Sequence, residues 1–290
     1  MAEPAKVPVA LVSARTRDGV ILDGLAVEPR GRRHTALVWV HGLGSTFSSG
    51  QPLVGALSGR LARAGIGYLK LNTRGHDTVA RHGGRLAGGA FERFGESVAD
   101  IRAMIELAAA SGYRRVVLAG HSTGANKVLH YAARVRDRRV AGLILLGPVA
   151  DVAGERARIG RRELERRVAA AERLARRDPA ALVPRAWGFW GARRYLSLFR
   201  PGGAEDVFPY YRPAARWAAL GKVRVPLAVI IGGRDEYLDR RPSQLIAAFA
   251  LNAPRARSFS GIVVAGARHG FREHEATLAR EIVRWVRRVR

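Results

Sequence analysis

A serine between two glycines is the first feature of this sequence that could do chemistry. Ser122 lies in "GHSTG", between Gly120 and Gly124, and the apolar run "RVVLAG" at 115–120 leads directly into it. A sharp turn from a strand into a helix can present such a serine as a nucleophile, provided that the residues two before and two after it are small. The same serine could instead cap the following helix, since serine is a preferred N-cap residue. The five-residue pattern alone leaves both interpretations open.

A histidine must accompany a serine nucleophile, because the hydroxyl is a poor nucleophile at neutral pH without a base. Where the serine follows a strand in this way, the acid and then the histidine come later in the chain. Past Ser122 the histidines are His130, His269 and His274. His130 falls two turns into the helix behind the serine, whereas His269 in "AGARHGF" directly follows an apolar run. We predict His269 as the base, with His274 as the alternative and a surface-loop histidine as the non-catalytic interpretation.

The carboxylate that orients the histidine should follow another strand end. Asp235 is the first carboxylate after the apolar run "LAVIIGG" and lies in "GGRDEYLD". Glu236 is adjacent, with its side chain expected to project the other way, and Asp239 lies a turn further on. We predict Asp235 as the acid and keep Glu236 and Asp239 as alternatives, beside a solvated acidic loop or a helix cap. Because serine, acid and base each follow their own strand, the nucleophile interpretation of Ser122 is favoured over the cap.

Backbone amides that could bind an oxyanion are expected in two places. The amide of Thr123, the residue after the serine, is one predicted donor. The loop "HGLG" after the run "ALVWV" should supply the other, and Leu43 is its predicted donor. Gly42 would permit the tight turn, and His41 is expected to order this loop rather than to perform chemistry.

The elements that must position these residues alternate along the chain between strands and helices. Two strand-like runs around the turn "TRDG" predict an N-terminal hairpin, and residues 72–89 are expected to form a glycine-rich loop. Apolar runs and periodicity predict strands at 36–40, 66–71, 115–120, 140–148, 225–233 and 260–266, and helices at 53–64, 94–110, 125–135, 242–251 and the C-terminal end. This alternation predicts an α/β fold, a mostly parallel sheet with helices on both faces. Its functional residues should follow the carboxyl ends of the strands.

Residues 149–222 interrupt the alternation and contain no convincing strand. One charged helix is predicted over 155–178, and aromatic side chains are frequent over 187–217. The aromatic side chains could line an apolar pocket, but we favour a packed core for them. The predicted domain organisation is therefore a core of residues 1–148 and 223–290, with a helical cap inserted at 149–222.

The composition is strongly basic, with a formal net charge of +26 at pH 7. Nearly all of the basic residues are arginines, and they are scattered along the whole chain rather than gathered into one run. Scattered arginines favour solvated surfaces over a selected polyanion-binding face, so we predict no specific nucleic-acid partner. Arg74 or Arg93, if near the mouth of the site, could still favour anionic substrates.

Cysteine, membrane-spanning segments and targeting segments are not evident in the sequence. The absence of cysteine excludes disulfides, cysteine nucleophiles and thiolate metal sites. No apolar run approaches the roughly 20 residues that span a bilayer. The first residues, "MAEPAKVPVALVSARTRDG", lack the features of a signal peptide. We therefore predict a cytoplasmic protein without a metal site, and we leave a homodimer open.

These motifs together resemble the alpha/beta-hydrolase fold family. "HGLG", "NTRGHD", "GHSTG", "GGRDEYL" and "GARHGF" occur in the order of that family over nearly the whole chain. "GHSTG", "NTRGHD" and "RDEY" also resemble a branch that includes siderophore-ester hydrolases. The resemblance implies an eight-stranded sheet whose second strand is antiparallel, a variable cap at 149–222 and no cofactor. Serine at the turn differs from the dehalogenase and epoxide-hydrolase branches, which use aspartate there.

The predicted function is hydrolysis of a small-molecule carboxylic ester by Ser122, His269 and Asp235 through an acyl-enzyme intermediate. Thioester, amide and carbon–carbon bond hydrolysis use the same machinery and stay open. Two non-catalytic hypotheses also stay open: a binding protein on the hydrolase scaffold, and a polyanion-binding protein prompted by the charge. No residue of the sequence selects a substrate.

Overall fold

The protein is described by a computed structural model over residues 8–31 and 34–289. The strands of this part of the chain are β1 Ala10–Arg15, β2 Ile21–Val27, β3 Thr35–Val40, β4 Ile66–Leu71, β5 Ala80–His82, β6 Arg85–Ala87, β7 Arg115–His121, β8 Val140–Leu146, β9 Leu227–Gly232 and β10 Phe259–Val264. Eight of them form one sheet in the spatial order β1-β2-β4-β3-β7-β8-β9-β10.

The N-terminal hairpin joins the sheet in antiparallel orientation. β2 is antiparallel to both β1 and β4, whereas every neighbouring pair from β4 to β10 is parallel. In the "TRDG" turn, the Val20 amide donates to Thr16 Oγ1 at 2.9 Å, and the Thr16 amide donates to Val20 O at 2.8 Å. The predicted eight-stranded, mostly parallel sheet with an antiparallel second strand is thus confirmed.

Helices cover both faces of the sheet. Their bounds are α1 Gln51–Arg63, α2 Ser97–Ala110, α3 Thr123–Arg134, α4 Asp151–Ile159, α5 Arg161–Arg177, α6 Ala192–Phe199, α7 Pro242–Asn252 and α8 Glu275–Val289. One apolar cluster buries Leu57 of α1 and Trp285 of α8 against the sheet. The other buries Met104 of α2, Leu129 of α3 and Phe249 of α7. Within residues 8–31 and 34–289, no helix is long and apolar enough to cross a membrane.

Two local predictions were wrong. The stretch 72–89, predicted to be a loop, contains a two-stranded hairpin of β5 and β6 in which Ala80 pairs with Ala87. The charged helix predicted over 155–178 is instead two helices, α4 and α5. They separate at Gly160, whose φ of 81° and ψ of 160° lie outside the helical region and suit a residue without a Cβ atom.

Eight of the nine aromatic side chains of 187–217 pack in or against apolar cores, the arrangement favoured from the sequence, whereas Phe189 is exposed. Tyr195 is buried with Ala171 in a small cluster of their own. Phe208 and Trp217 instead contact Phe249 of α7, with ring centroids 5.1 and 5.0 Å apart, and belong to the core of the main sheet. The segment therefore contributes to two apolar clusters, and the cap boundaries at 149 and 222 stay a prediction.

Candidate active site

Ser122 lies on a strained turn between β7 and α3. Its backbone has φ 55° and ψ −127°, and a positive φ is uncommon for a residue other than glycine. The Ser122 amide donates to Leu146 O of β8 at 2.9 Å, which ties the turn to the neighbouring strand. Although Ser122 occupies the N-cap position of α3, its hydroxyl makes no capping hydrogen bond. Its hydroxyl is therefore left for another role at the carboxyl end of the sheet.

Two glycines allow the strand and helix to approach this closely. A Cβ atom on Gly120 would lie 2.2 Å from Gly124 O, and one on Gly124 would lie 2.2 Å from Val40 O of β3. Because both distances are far inside van der Waals contact, any side chain would push α3 away from the sheet. A Cβ atom on Gly42 would lie 3.0 Å from Ser122 Cβ. The loop after β3 therefore packs directly over the serine.

Asp235 and His269 form a hydrogen-bonded pair at the same end of the sheet. Asp235 Oδ2 lies 2.9 Å from His269 Nδ1, and Asp235 Oδ1 accepts the Tyr237 amide at 3.0 Å. The carboxylate is completely buried, and the imidazole is 10% exposed with the Tyr237 ring edge-on against it. When Nδ1 donates to the carboxylate, Nε2 of the neutral ring is left as an acceptor, which is the form that a general base needs.

The backbone of His269 is held by two side chains whose roles the sequence analysis missed. His121, directly before the serine, donates from Nε2 to the His269 carbonyl at 2.9 Å, and burial lowers the pKa of His121 to about 4. Glu236 accepts the His269 amide at 3.0 Å, which lowers the pKa of Glu236. Glu236 thus fixes the chain that carries the imidazole, while Asp239 pairs with Arg240. Adjacency to the predicted serine and acid is the only signal that could have pointed to His121 or Glu236.

His41 orders the loop over the serine. The Thr73 amide donates to His41 Nε2 at 2.9 Å, so Nδ1 carries the proton and donates to Gly42 O at 2.8 Å. Burial lowers the pKa of His41 to about 3 and keeps the ring neutral.

Thr123 is the first residue of α3, so its amide has no acceptor within the helix. The Leu43 amide likewise has no acceptor among residues 8–31 and 34–289, so both amides are available to an oxyanion.

A buried ion network lies behind the turn. Lys127 Nζ of α3 lies 2.6 Å from Glu92 Oε1, and Arg194 of α6 lies 3.5 Å from Glu92 Oε2. Arg194 also pairs with Glu205, and all four side chains are almost completely excluded from water. Because Lys127 and Arg194 lie on different helices, the network joins the helix behind Ser122 to the 149–222 segment. No motif in the sequence indicated it, since its members are far apart along the chain.

Arg74 does not lie at the mouth of the site, contrary to the suggestion from the sequence. Its side chain is 1% exposed and pairs with Asp18, Glu96 and Asp100 at 2.8, 3.2 and 2.8 Å. Arg93 pairs with the same Glu96 at 3.7 Å. Carboxylates of the protein itself therefore engage both arginines.

The other two histidines after Ser122 lie apart from the Asp235 carboxylate. His130 packs against the ring of Phe94, with centroids 4.7 Å apart, and His274 Nδ1 lies 3.1 Å from Arg272 O. Throughout the ranges 8–31 and 34–289, no three His, Cys, Asp or Glu side chains group to hold a metal ion.

A cavity of about 710 Å³ lies beside the loop over the serine. Trp39, Tyr68 and Phe271 contribute apolar surface to it, and His121, the residue before Ser122, also lines it. Lys70 also reaches the cavity, where its ammonium group donates to Ser49 O and burial lowers the pKa of Lys70 to about 8. The volume is within the range of sites that bind small molecules.

A family model described as a protein of unknown function, DUF1749, matches residues 20–289. The chain belongs to the DUF1749 family. The match includes the residues around Ser122, Asp235 and His269 as well as the 149–222 segment. No curated protein matches the sequence.

Several solved structures share the fold of this DUF1749 chain. The siderophore hydrolase EstB from Aspergillus fumigatus has a TM-score of 0.69 and 20% identity, with 99% of this chain and 98% of that chain covered. Est1E from Butyrivibrio proteoclasticus, bound to ferulic acid, has a TM-score of 0.67 and 18% identity over 96% and 98% of the two chains. The Pyrococcus furiosus esterase Pf2001 has a TM-score of 0.64 and 16% identity over 98% and 91%. At these identities the comparisons show the alpha/beta-hydrolase fold.

One more carboxyl group of the DUF1749 chain lies within electrostatic reach of His269. Asp151 opens α4 shortly after β8, and the charges of Glu205, Arg194 and His269 all act on it. Burial is the largest cause that raises the pKa of Asp151 to about 7, and repulsion from Glu205 adds to the effect. The folded protein therefore keeps this proton at pH values where the unfolded chain has lost it.

Asp151→Asn is expected to raise stability at alkaline pH. The pKa of Asp151 in the folded protein lies above the unfolded value of 3.8, so its contribution to the free energy of unfolding is fully present below pH 3.8, where both states hold the proton. This contribution is lost as the pH rises through about 7, because the unfolded chain gives up the proton more readily than the folded protein does. The free energy of unfolding of the variant should exceed that of the wild type by about 1–3 kcal/mol at alkaline pH and match it in acid. Denaturant titrations at both pH values measure the difference, with the exposed Glu165→Gln as control. An equal gain in acid would contradict the expectation.

Proposed function

We propose that this chain is a serine hydrolase that cleaves the carboxylic ester of a small molecule through an acyl-enzyme intermediate. The observation that carries the proposal is the 2.9 Å contact between His269 Nδ1 and Asp235 Oδ2, at the sheet end where Ser122 lies on its strained turn. An imidazole oriented by a buried carboxylate, at the same end of the sheet as an uncommitted serine hydroxyl, supplies the groups of a nucleophile and its base.

The reaction assigns one role to each of these groups. His269 Nε2 takes the proton of Ser122 as the serine Oγ attacks the ester carbonyl, while Asp235 holds the Nδ1 proton and stabilises the imidazolium. The amides of Leu43 and Thr123 donate to the oxyanion that develops on the carbonyl oxygen. His269 then gives its proton to the leaving alcohol. A water molecule, deprotonated by His269, attacks the acyl-enzyme. His269 then returns this proton to Ser122 Oγ as the acyl–oxygen bond breaks, which releases the acid and restores the serine hydroxyl.

The similar solved proteins support an ester as the substrate class. EstB is described as a siderophore hydrolase and Pf2001 as an esterase, and Est1E was solved with ferulic acid bound. The cavity beside Gly42 and His121 has room for a small organic acyl or alcohol group. Thioesters and amides can react through the same groups, so an ester panel that varies acyl length and charge, with matched thioesters and amides, defines the substrate.

Labelling with a fluorophosphonate tests the nucleophile directly. We expect one probe per chain, located on Ser122 by peptide mass spectrometry, because the probe captures only an activated serine. Asp235→Asn should slow labelling strongly, since the imidazole would lose its orienting carboxylate. The exposed Ser258→Ala serves as the matched control and should label like the wild type. Labelling at another residue, or none at a concentration that labels a known serine esterase, would refute the proposal.

A further inference from the structure

Seven cationic side chains converge on one pocket at the opposite end of the sheet from Ser122. The pocket has a volume of about 590 Å³. Its cationic members, which define what we call the basic pocket, are Arg115, Arg136, Arg138, Lys222, Arg224, Arg255 and Arg257. In the sequence these residues belong to four separate stretches, and no charge run connects them.

Sheet topology brings these four stretches together. Arg115 begins β7, and Arg138, Arg224 and Arg257 lie two or three residues before β8, β9 and β10. These four strands are neighbours in the sheet and parallel to one another. The amino ends of parallel neighbours meet at one edge, so basic residues before each strand accumulate there. The charge of the basic pocket is therefore gathered by the fold.

In the described part of the chain, no carboxylate neutralises the positive charge of the basic pocket. Its single acid, Asp137, already accepts hydrogen bonds from the Arg139 guanidinium at 2.9 and 2.7 Å and from the Tyr131 hydroxyl at 2.9 Å. Arg115 donates to Val289 O. Across residues 8–31 and 34–289, none of the other six cations forms an ion pair. A concave site lined by one sign of charge concentrates its field and attracts counter-ions.

The floor of the basic pocket is apolar. Val140 and Val223 are buried there, and Val135 and Val225 are half-buried beside them. Arginine forks bind the oxygens of a phosphate in pairs, and an apolar floor favours a ring or an acyl chain. The volume suits a small molecule rather than a duplex or a flat lipid surface.

We infer that the basic pocket binds a small phosphorylated organic molecule with an aromatic or aliphatic body. A nucleotide and a single-chain phospholipid share this chemistry. The inference does not depend on the proposed function, because the basic pocket and Ser122 lie at opposite ends of the strands.

Calorimetric titration with two probes tests the inference at about 150 mM salt, where the Debye length is about 8 Å and diffuse attraction is screened. The probes are ATP and a lysophosphatidate below its micelle concentration, with adenosine and inorganic phosphate as controls for each part alone. We expect one of the two phosphorylated probes to bind with a stoichiometry of one and to bind more tightly than either control. Whichever probe binds identifies the apolar body.

A charge-matched pair of variants makes the test specific. Arg224→Glu/Arg257→Glu removes two exposed cations of the basic pocket, and Arg173→Glu/Arg177→Glu on α5 lowers the net charge by the same amount. The first should weaken binding by about tenfold or more through the loss of charge-assisted contacts, and the second should leave it nearly unchanged. Equal weakening in both variants, or no binding of either probe, would overturn the inference. So would retention of the protein on duplex DNA or anionic vesicles without binding of the soluble probes.

Discussion

Ser122→Ala is expected to lower kcat for a short p-nitrophenyl ester by about 10⁴- to 10⁶-fold, because the proposed acyl-enzyme cannot form without the serine hydroxyl. A residual rate above that of water alone should persist, since the Leu43 and Thr123 amides, which we propose as oxyanion donors, are unchanged. Substrate affinity should change little, because the hydroxyl contributes mainly to the transition state. Steady-state kinetics over a range of ester concentrations separates the two parameters.

Loss of activity in this variant must be distinguished from loss of folding. The Ser122 backbone keeps its positive φ with either side chain, and its hydroxyl makes no capping bond, so the thermal midpoint of Ser122→Ala should stay close to that of the wild type. Ser258→Ala, an exposed serine far along the chain, should retain full activity. If Ser122→Ala keeps its rate within about tenfold of the wild type, Ser122 is not the nucleophile.

Lys127→Met is expected to destabilise the protein by about 3–5 kcal/mol, because it leaves the buried Glu92 carboxylate without its closest cation. Lys127 Nζ lies 2.6 Å from Glu92 Oε1, and neither side chain is accessible to water. Lys127 and Arg194 both lower the pKa of Glu92 against the opposing effect of burial. The charge of Glu92 is thus maintained by these two partners, and Arg194 at 3.5 Å is the more distant of them. Denaturant unfolding with a constant slope measures the loss.

A double-mutant cycle shows whether the loss belongs to the pair. Glu92→Gln removes the negative charge, so combining it with Lys127→Met should restore part of the stability, with a coupling of about 1–3 kcal/mol. The exposed pair Arg161 and Glu165 on α5 offers a matched control, and Arg161→Met should cost at most about 1 kcal/mol. A Lys127→Met variant within about 1 kcal/mol of the wild type would show that the buried pair is not needed for stability.

Local sequence patterns predicted most of the elements of the sheet. The strand predicted at 66–71 has those bounds in the structure, and the one predicted at 115–120 extends by one residue. Fully buried strands of a parallel sheet are continuous apolar runs, and each run ends in glycine or polar residues where the strand leaves the sheet. The ends of these apolar runs are also where Ser122, Asp235 and His269 were predicted from the sequence alone.

The errors arose where a local pattern had two structural solutions. Charge and apolar spacing around 155–178 are compatible with one helix, and only the conformation of Gly160 divides it into α4 and α5. The 72–89 stretch is rich in glycine, which is typical of loops and of tight hairpins alike, and here it forms β5 and β6.

By itself, the sequence determined the order of strands and helices and the three residues proposed as nucleophile, acid and base, because those properties depend on neighbours along the chain. Only the tertiary structure decided which groups support them: His121 and Glu236 on the His269 backbone, and Lys127 with Glu92 behind the turn. It also showed that Arg74 is a buried, ion-paired residue rather than one at the mouth of the site. The basic pocket has the same origin, since parallel strands bring their starting residues to one edge however far apart they lie in the chain. Which charged groups pair depends on the distance between them in space, and a local sequence pattern does not give that distance.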